Sequence, residues 1–255
     1  MPHTIAVAGK GGVGKTTTCG MLIDYLCKKN GPVLAVDADA NSNLNEVLGV
    51  EVEETLGDIR EDIARAEMAT DSPIPKGMTK ADYAEMRFSD ALTEADDYDL
   101  LVMGRTQGKG CYCFVNGLLQ TLMSKYAKNY SYVVMDNEAG LEHVARGTLP
   151  HVDTMLLISD CSRRGIQAVG RIAEMVKEMD LKPTQMGLIV NRAPGGKLDA
   201  GILEEIEKQG LTLFGVLPHD DAVYRCDCEG TPSAKLPDSD PMKIALKGIM
   251  QSIGL

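Results

Sequence analysis

Seven short runs rich in Val, Ile, Leu and Ala punctuate the chain: Thr4–Ala8, Val33–Asp37, Asp99–Met103, Tyr132–Asp136, Thr154–Ser159, Met186–Asn191 and Leu211–Leu217. A strand with one wet face alternates apolar and polar positions, whereas a strand covered on both faces does not, so these runs predict strands buried from two sides. Between them, helical patterns run over Lys15–Lys29, Ala81–Ala95, Gly117–Ala127, Arg164–Asp180 and Ala200–Gln209. Strand and helix in alternation predict an α/β fold, a mostly parallel twisted sheet flanked by helices on both faces. No linker and no internal repeat breaks the pattern, so residues 1–255 are expected to form a single domain. The acidic stretch Glu51–Asp71 is expected as a helix and loop lying outside the sheet.

Composition narrows the function classes. Hydrophobic residues at 44% and charged residues at 25% are ordinary for a folded globular chain. A net charge of -11 disfavours any role built on broad attraction to nucleic-acid phosphates or anionic lipid, so neither nucleic acid nor membrane is an expected partner. The opening MPHTIAVAGKGG lacks a basic segment followed by an apolar stretch, and the seven cysteines are odd in number and sparse. Both features predict a cytoplasmic, reducing environment.

The chemistry begins where the first strand ends, in Gly9-Lys10-Gly11-Gly12-Val13-Gly14-Lys15-Thr16-Thr17, with a helix following at once. This is G-x-x-x-x-G-K-[ST] in its strand-to-helix setting. Glycines allow a backbone whose successive N–H groups converge on phosphate oxygens, and the helix N-terminus adds favourable potential. Lys15 is then expected on the terminal phosphates of ATP or ADP, Thr16 on Mg²⁺ and Thr17 near the α-phosphate.

Lys10, a second lysine just after the first glycine, makes the loop resemble the deviant Walker A motif, KGGxGK[ST], of the nitrogenase iron protein, MinD and ParA class of ATPases. The resemblance implies a homodimer in which Lys10 reaches nucleotide held by the other subunit. It also implies roles for two further segments. Val36-Asp37-Ala38-Asp39 resembles switch I, with Asp39 on the attacking water and Asp37 toward the magnesium shell. Tyr132-Val-Val-Met-Asp136 matches Walker B, with Asp136 on Mg²⁺, and Asn137-Glu138-Ala139-Gly140 resembles switch II, with Gly140 contacting the γ-phosphate. Asn191, Arg192 and Pro218 stand in segments similar to that family's base-binding loops.

Of the cysteines, Cys111 and Cys113 stand out, in Gly108-Lys109-Gly110-Cys111-Tyr112-Cys113. A single C-x-C supplies two soft ligands and a closed tetrahedral site needs four, which a two-fold dimer would provide. Together with Asp136-Asn-Glu-Ala-Gly-Leu-Glu-His-Val-Ala-Arg-Gly147, this loop resembles the CooC-type maturation ATPases, which implies Ni²⁺, or Zn²⁺ in vitro, at Cys111 and Cys113. It further implies a nickel-enzyme client, carbon monoxide dehydrogenase or acetyl-CoA synthase. A MinD/ParA-type positioning ATPase and an iron–sulfur reductive activator stand as the alternatives. Cys226-Asp227-Cys228 has no role that the resemblance supplies.

Overall fold

The computed structural model describes residues 1–39, 41–68, 74–104, 113–138 and 151–255. Among these residues eight strands form one sheet: β1 His3–Gly9, β2 Val33–Ala38, β3 Leu92–Glu94, β4 Tyr98–Val102, β5 Tyr132–Asn137, β6 Thr154–Asp160, β7 Gln185–Ala193 and β8 Leu213–Pro218. Their spatial order is β3-β4-β2-β5-β1-β6-β7-β8. All neighbours run parallel except β3 and β4.

The unbroken apolar runs have their cause in two cores, one on each face. Ala6, Ala8, Leu34, Val36, Met155 and Leu157 face one core; Ile5, Val7, Val33, Ala35, Leu156 and Ile158, their alternates, face the other. The first core is covered by α3 (Leu56–Met68), α4 (Lys80–Asp90), α5 (Cys113–Tyr126), α6 (Arg163–Glu178) and α7 (Ala200–Lys208). The second is covered by α1 (Lys15–Asn30), α2 (Leu44–Leu48) and α9 (Pro241–Ser252). Helix α8 (Asp221–Glu229) has no buried residue.

Helix α6 shows how sequence makes such an element. The Ser162 hydroxyl accepts from the Gly165 N–H at 3.0 Å and starts it, Ile166, Val169, Ala173 and Val176 make its buried stripe, and Asp180 at φ 55 follows its end. Each Ile or Val of this stripe contributes about 1.5–3 kcal/mol by leaving water.

Two expectations are corrected. The helix expected over Ala81–Ala95 ends at Asp90; the chain turns at Ala91 and adds β3 antiparallel to β4, pairing Leu92 with Leu101 and Glu94 with Asp99. An edge strand of three residues is too short to show a period of two. The acidic stretch does form a helix outside the sheet, α3, but it is no solvated surface insertion: Leu56, Ile59 and Ile63 form a stripe between the acids and enter the first core. Among the described residues, no helix is long and apolar enough to cross a membrane. The C-terminal helix α9, capped by Asp240, instead buries Met242, Leu246, Ile249 and Met250 in the second core.

A parallel sheet brings the C-terminal ends of its strands to one edge, which is where ligands bind in open α/β sheets. The ends of β1, β2, β5, β7 and β8 therefore collect Gly9, Asp37, Asp136, Asn191 and Pro218 along a common rim.

Candidate nucleotide site

The Gly-rich turn is shaped by close approach and by handedness. A Cβ on Gly9 would stand 2.2 Å from the Ile158 carbonyl oxygen of β6, so any side chain there would push the two strands apart. Gly14, the N-cap of α1, lies at φ 89, and a Cβ there would meet the Asn191 amide nitrogen at 2.4 Å. The Thr18 hydroxyl donates to the Gly14 carbonyl at 2.8 Å. Lys15 is 6% exposed and its ammonium donates to the Lys10 carbonyl at 3.3 Å, folding the cation back over the turn. Lys10 itself is exposed.

Two carboxylates face this turn from neighbouring strands and differ in what satisfies them. Asp37 is fully buried, with Oδ1 accepting from the Asp39 N–H and Oδ2 from the Leu44 N–H, both at 3.0 Å. Burial pushes its carboxyl up to about 6, against the pull of those two N–H groups. Asp136 is 1% exposed and neither of its oxygens has a hydrogen-bond partner among the described residues. Burial pushes its carboxyl up to about 7; the Thr16 hydroxyl, close by but outside hydrogen-bond geometry, and Lys15 oppose the rise. Two bare oxygens on a buried carboxylate, beside a threonine hydroxyl, are the donor set that a hard divalent cation completes. Asp39, half-buried, accepts at Oδ1 from both the N–H and the side-chain amide of Asn41, at 2.9 and 3.1 Å.

A cavity of about 580 Å³ opens over the turn, bounded by Gly11, Gly12, Lys15, Thr16 and Thr17 on one side and by Asp39 and Glu138 on another. A second cavity of about 290 Å³ adjoins it, sharing Gly14, Thr17 and Arg192, and is lined by Asn191, Pro218 and Tyr224. Asn191 is tied to the turn more closely than its place in a base-binding segment implies: its amide donates to the carbonyl of the buried Val13 at 2.9 Å, and its Oδ1 accepts from the Arg192 N–H at 2.8 Å. Arg192, at φ 58, sends its guanidinium to the Gly12 carbonyl at 3.0 Å.

The lining of the larger cavity also includes Cys226 and Asp227 of α8, from the C-x-C to which the resemblance gives no role. Cys226 is half-buried and Cys228 exposed. Two residues apart on a helix, they are separated by roughly 200° around its axis and do not share a face. Gly140 and Cys111 fall outside the described residues; Cys113 is the first residue of α5, with its side chain outside them. Among the described residues, no group of three or more His, Cys, Asp or Glu could hold a metal ion.

Glycine turn, buried lysine and unpaired aspartate together fit a phosphate chain with its cation, and comparison with known proteins supplies the family. The model of the CobQ/CobB/MinD/ParA nucleotide binding domain matches residues 4–233. The chain belongs to this family. It is a P-loop ATPase of the MinD/ParA type. An uncharacterized ATP-binding protein of Methanocaldococcus jannaschii is 42% identical over 98% of this chain and 97% of its own length. The carbon monoxide dehydrogenase accessory protein CooC of Rhodospirillum rubrum is 30% identical over 89% of this chain and 87% of its own. In fold, the septum site-determining protein MinD of Pyrococcus horikoshii, complexed with Mg-ADP, superposes with a TM-score of 0.70 at 20% identity, covering 100% of this chain and 96% of that one.

Proposed function

We propose that this family member, acting as one unit over residues 1–255, is a CooC-type maturation ATPase that assists nickel insertion into carbon monoxide dehydrogenase or acetyl-CoA synthase. The observation that carries the reading is the C-x-C of Cys111 and Cys113 in a chain that is 30% identical to CooC across 89% of its length. In this reading ATP lies along Gly9–Thr17, with Lys15 on its terminal phosphates and Thr17 toward the α-phosphate. Asn191, Arg192 and Pro218 border the space for the base. Thr16 and Asp136 hold Mg²⁺, which when bound neutralises charge on the phosphate oxygens, while Asp37 holds the backbone of the segment carrying Asp39. Asp39 orients and deprotonates the attacking water. Lys10, exposed on the turn, reaches across a two-fold axis, and Gly140 contacts the γ-phosphate.

Nickel is the cargo here. Two C-x-C pairs at the dimer axis supply four thiolates, the number a closed tetrahedral soft-metal site requires. Because nucleotide and metal then share one interface, turnover at the first alters geometry at the second.

The test is anaerobic Ni²⁺ binding to the reduced protein, with and without ADP or ATP, read together with solution mass. One Ni²⁺ per dimer, lost in Cys111→Ser/Cys113→Ser while ATP hydrolysis persists, is the expected result. Cysteine-independent Ni²⁺ uptake, or visible charge-transfer bands after reconstitution with iron and sulfide, would overturn the nickel assignment and leave a family ATPase of another use.

A further inference from the structure

Well away from the nucleotide turn, α1 and α9 enclose a cavity of about 310 Å³ in which cations gather on a chain of net charge -11. Its apolar lining comes from Met21, Tyr25 and Leu246. Four lysines surround it, Lys28 and Lys29 from the last turn of α1 and Lys243 and Lys247 from α9. Two of them are already used. Lys243, only 7% exposed at its side chain, donates to Asp24 at 2.8 Å and to the Leu236 carbonyl at 2.7 Å. Lys28 bridges Asp24 at 2.9 Å and Asp238 at 2.5 Å. This lattice of two lysines and two aspartates is neutral and fixes the walls.

Lys29 and Lys247 are left over. Both are exposed and neither has an ion pair among the described residues. Lysines in the last turn of α1 complement its dipole, which accounts for Lys28 and Lys29 but not for Lys247, in the interior of α9. Among the described residues the lining carries no carboxylate beyond Asp24 and Asp238, and Asp238 also feels Lys247, so four lysines against two aspartates leave the groove an excess of two positive charges beside an apolar cleft. On α9, Ile244, three residues before Lys247, is 57% exposed and extends the apolar surface.

We propose that this groove docks an acidic segment of a protein partner, with an apolar side chain entering against Tyr25 and Leu246 and carboxylates meeting Lys29 and Lys247. Charge complementarity selects that occupant over an extended polyanion. A short segment sits within a Debye length, about 8–10 Å, of the two lysines and feels chiefly them, whereas a lipid surface or a duplex also meets the repulsion of the whole acidic chain. The groove is also joined to the nucleotide turn. Helix α1 begins at Lys15 in that turn and reaches the groove about 20 Å away at Lys29, so one rigid element touches both sites.

Fluorescence anisotropy of a labelled hexapeptide of alternating glutamate and leucine, on the full chain at low and physiological salt, tests the assignment. Lys29→Glu/Lys247→Glu is compared with Lys177→Glu/Lys208→Glu, an equal change in net charge at exposed positions on α6 and α7. Saturable binding that falls about tenfold or more in the first variant and less than about twofold in the second is expected. All four lysines are exposed, but Lys29, Lys177 and Lys208 each stand in the last turn of a helix and complement its dipole, so both variants should lose a little stability; far-ultraviolet circular dichroism equal to wild type at the assay temperature confirms that folding is not what is being read. Absence of saturable binding, equal loss in both variants, or Lys29- and Lys247-dependent binding to anionic phospholipid vesicles or duplex DNA in place of the peptide would overturn it.

Discussion

Asp37 and Asp136 are register partners on adjacent parallel strands, one with both oxygens bonded to backbone N–H groups and the other with both bare among the described residues. The pair therefore divides two tasks that the motifs alone assign jointly to magnesium. Asp37 anchors the chain that leaves β2, through Asp39 and Leu44; Asp136 is left open to a cation.

That division predicts opposite effects for the same substitution. Asp136→Asn removes a buried, unpartnered charge, so the metal-free protein at pH 8 should show a raised thermal midpoint, while Mg²⁺ affinity in the presence of ADP falls by about 10–100-fold. Asp37→Asn retains one acceptor and sets an NH₂ against a backbone N–H, costing about 1–3 kcal/mol of stability. Calorimetry with and without Mg²⁺-ADP reads both; a drop in metal-free stability for Asp136→Asn would contradict the assignment.

Acidity follows from the same burial. With folded values raised to about 7 for Asp136 and about 6 for Asp37, against about 4 unfolded, each group contributes stability through its protonated form. That contribution is complete below about pH 4 and is lost as pH rises through 6 to 7, by a few kcal/mol in total for the metal-free protein. On the proposed assignment Mg²⁺ competes with the proton on Asp136, so its affinity should fall as pH drops below about 7. Metal-free melting curves from pH 5 to 8, paired with Mg²⁺ titrations, should show the two trends running in opposite directions, and in Asp136→Asn both should flatten.

The parts of this picture legible in the sequence are those with an unambiguous physical cause. Strands buried on both faces leave solid apolar runs, and a phosphate turn leaves glycines at fixed spacing, so seven of the strands and the whole of Gly9–Thr17 can be read directly. Leu92–Glu94 cannot, because three edge residues carry no period. Helix α8 cannot either, since with no buried residue it has no apolar stripe, although Asp220, whose side chain accepts from the Ala222 N–H, and Gly230 at φ 64 mark its ends. The hydrogen bonds of Asp37 and Asn191 are hidden for a different reason: the motif names the residue, but its partner, Leu44 or Val13, is chosen by tertiary packing.

Gly14 and Gly11 separate the two reasons for a glycine. Gly14→Ala places a Cβ at φ 89 and 2.4 Å from the Asn191 amide, so it should both destabilise the fold and abolish binding of a fluorescent ADP analogue. A Cβ on Gly11 would meet nothing within 4 Å among the described residues, and Gly11 has no positive φ, so Gly11→Ala should fold normally, its effect being confined to nucleotide affinity. Equal melting temperatures for the two variants would remove the steric argument for Gly14.

Asn191 distinguishes a residue that reads the base from one that holds the turn. Its amide is spent on the Val13 carbonyl and its oxygen on the Arg192 N–H, both within a site where Asn191 is 2% exposed. Asn191→Ala leaves a buried carbonyl and a backbone N–H without partners, a loss of about 1–3 kcal/mol for each. If the side chain acts through the turn, affinity for ADP and GDP should fall by the same factor, because the phosphates common to both lose their cradle. A base-reading role would instead change their ratio. Isothermal titration of both nucleotides with wild type and variant decides between the two, and the bonds to Val13 and Arg192 favour an unchanged ratio, with Arg192→Ala, which frees only the Gly12 carbonyl, showing a smaller loss in the same direction.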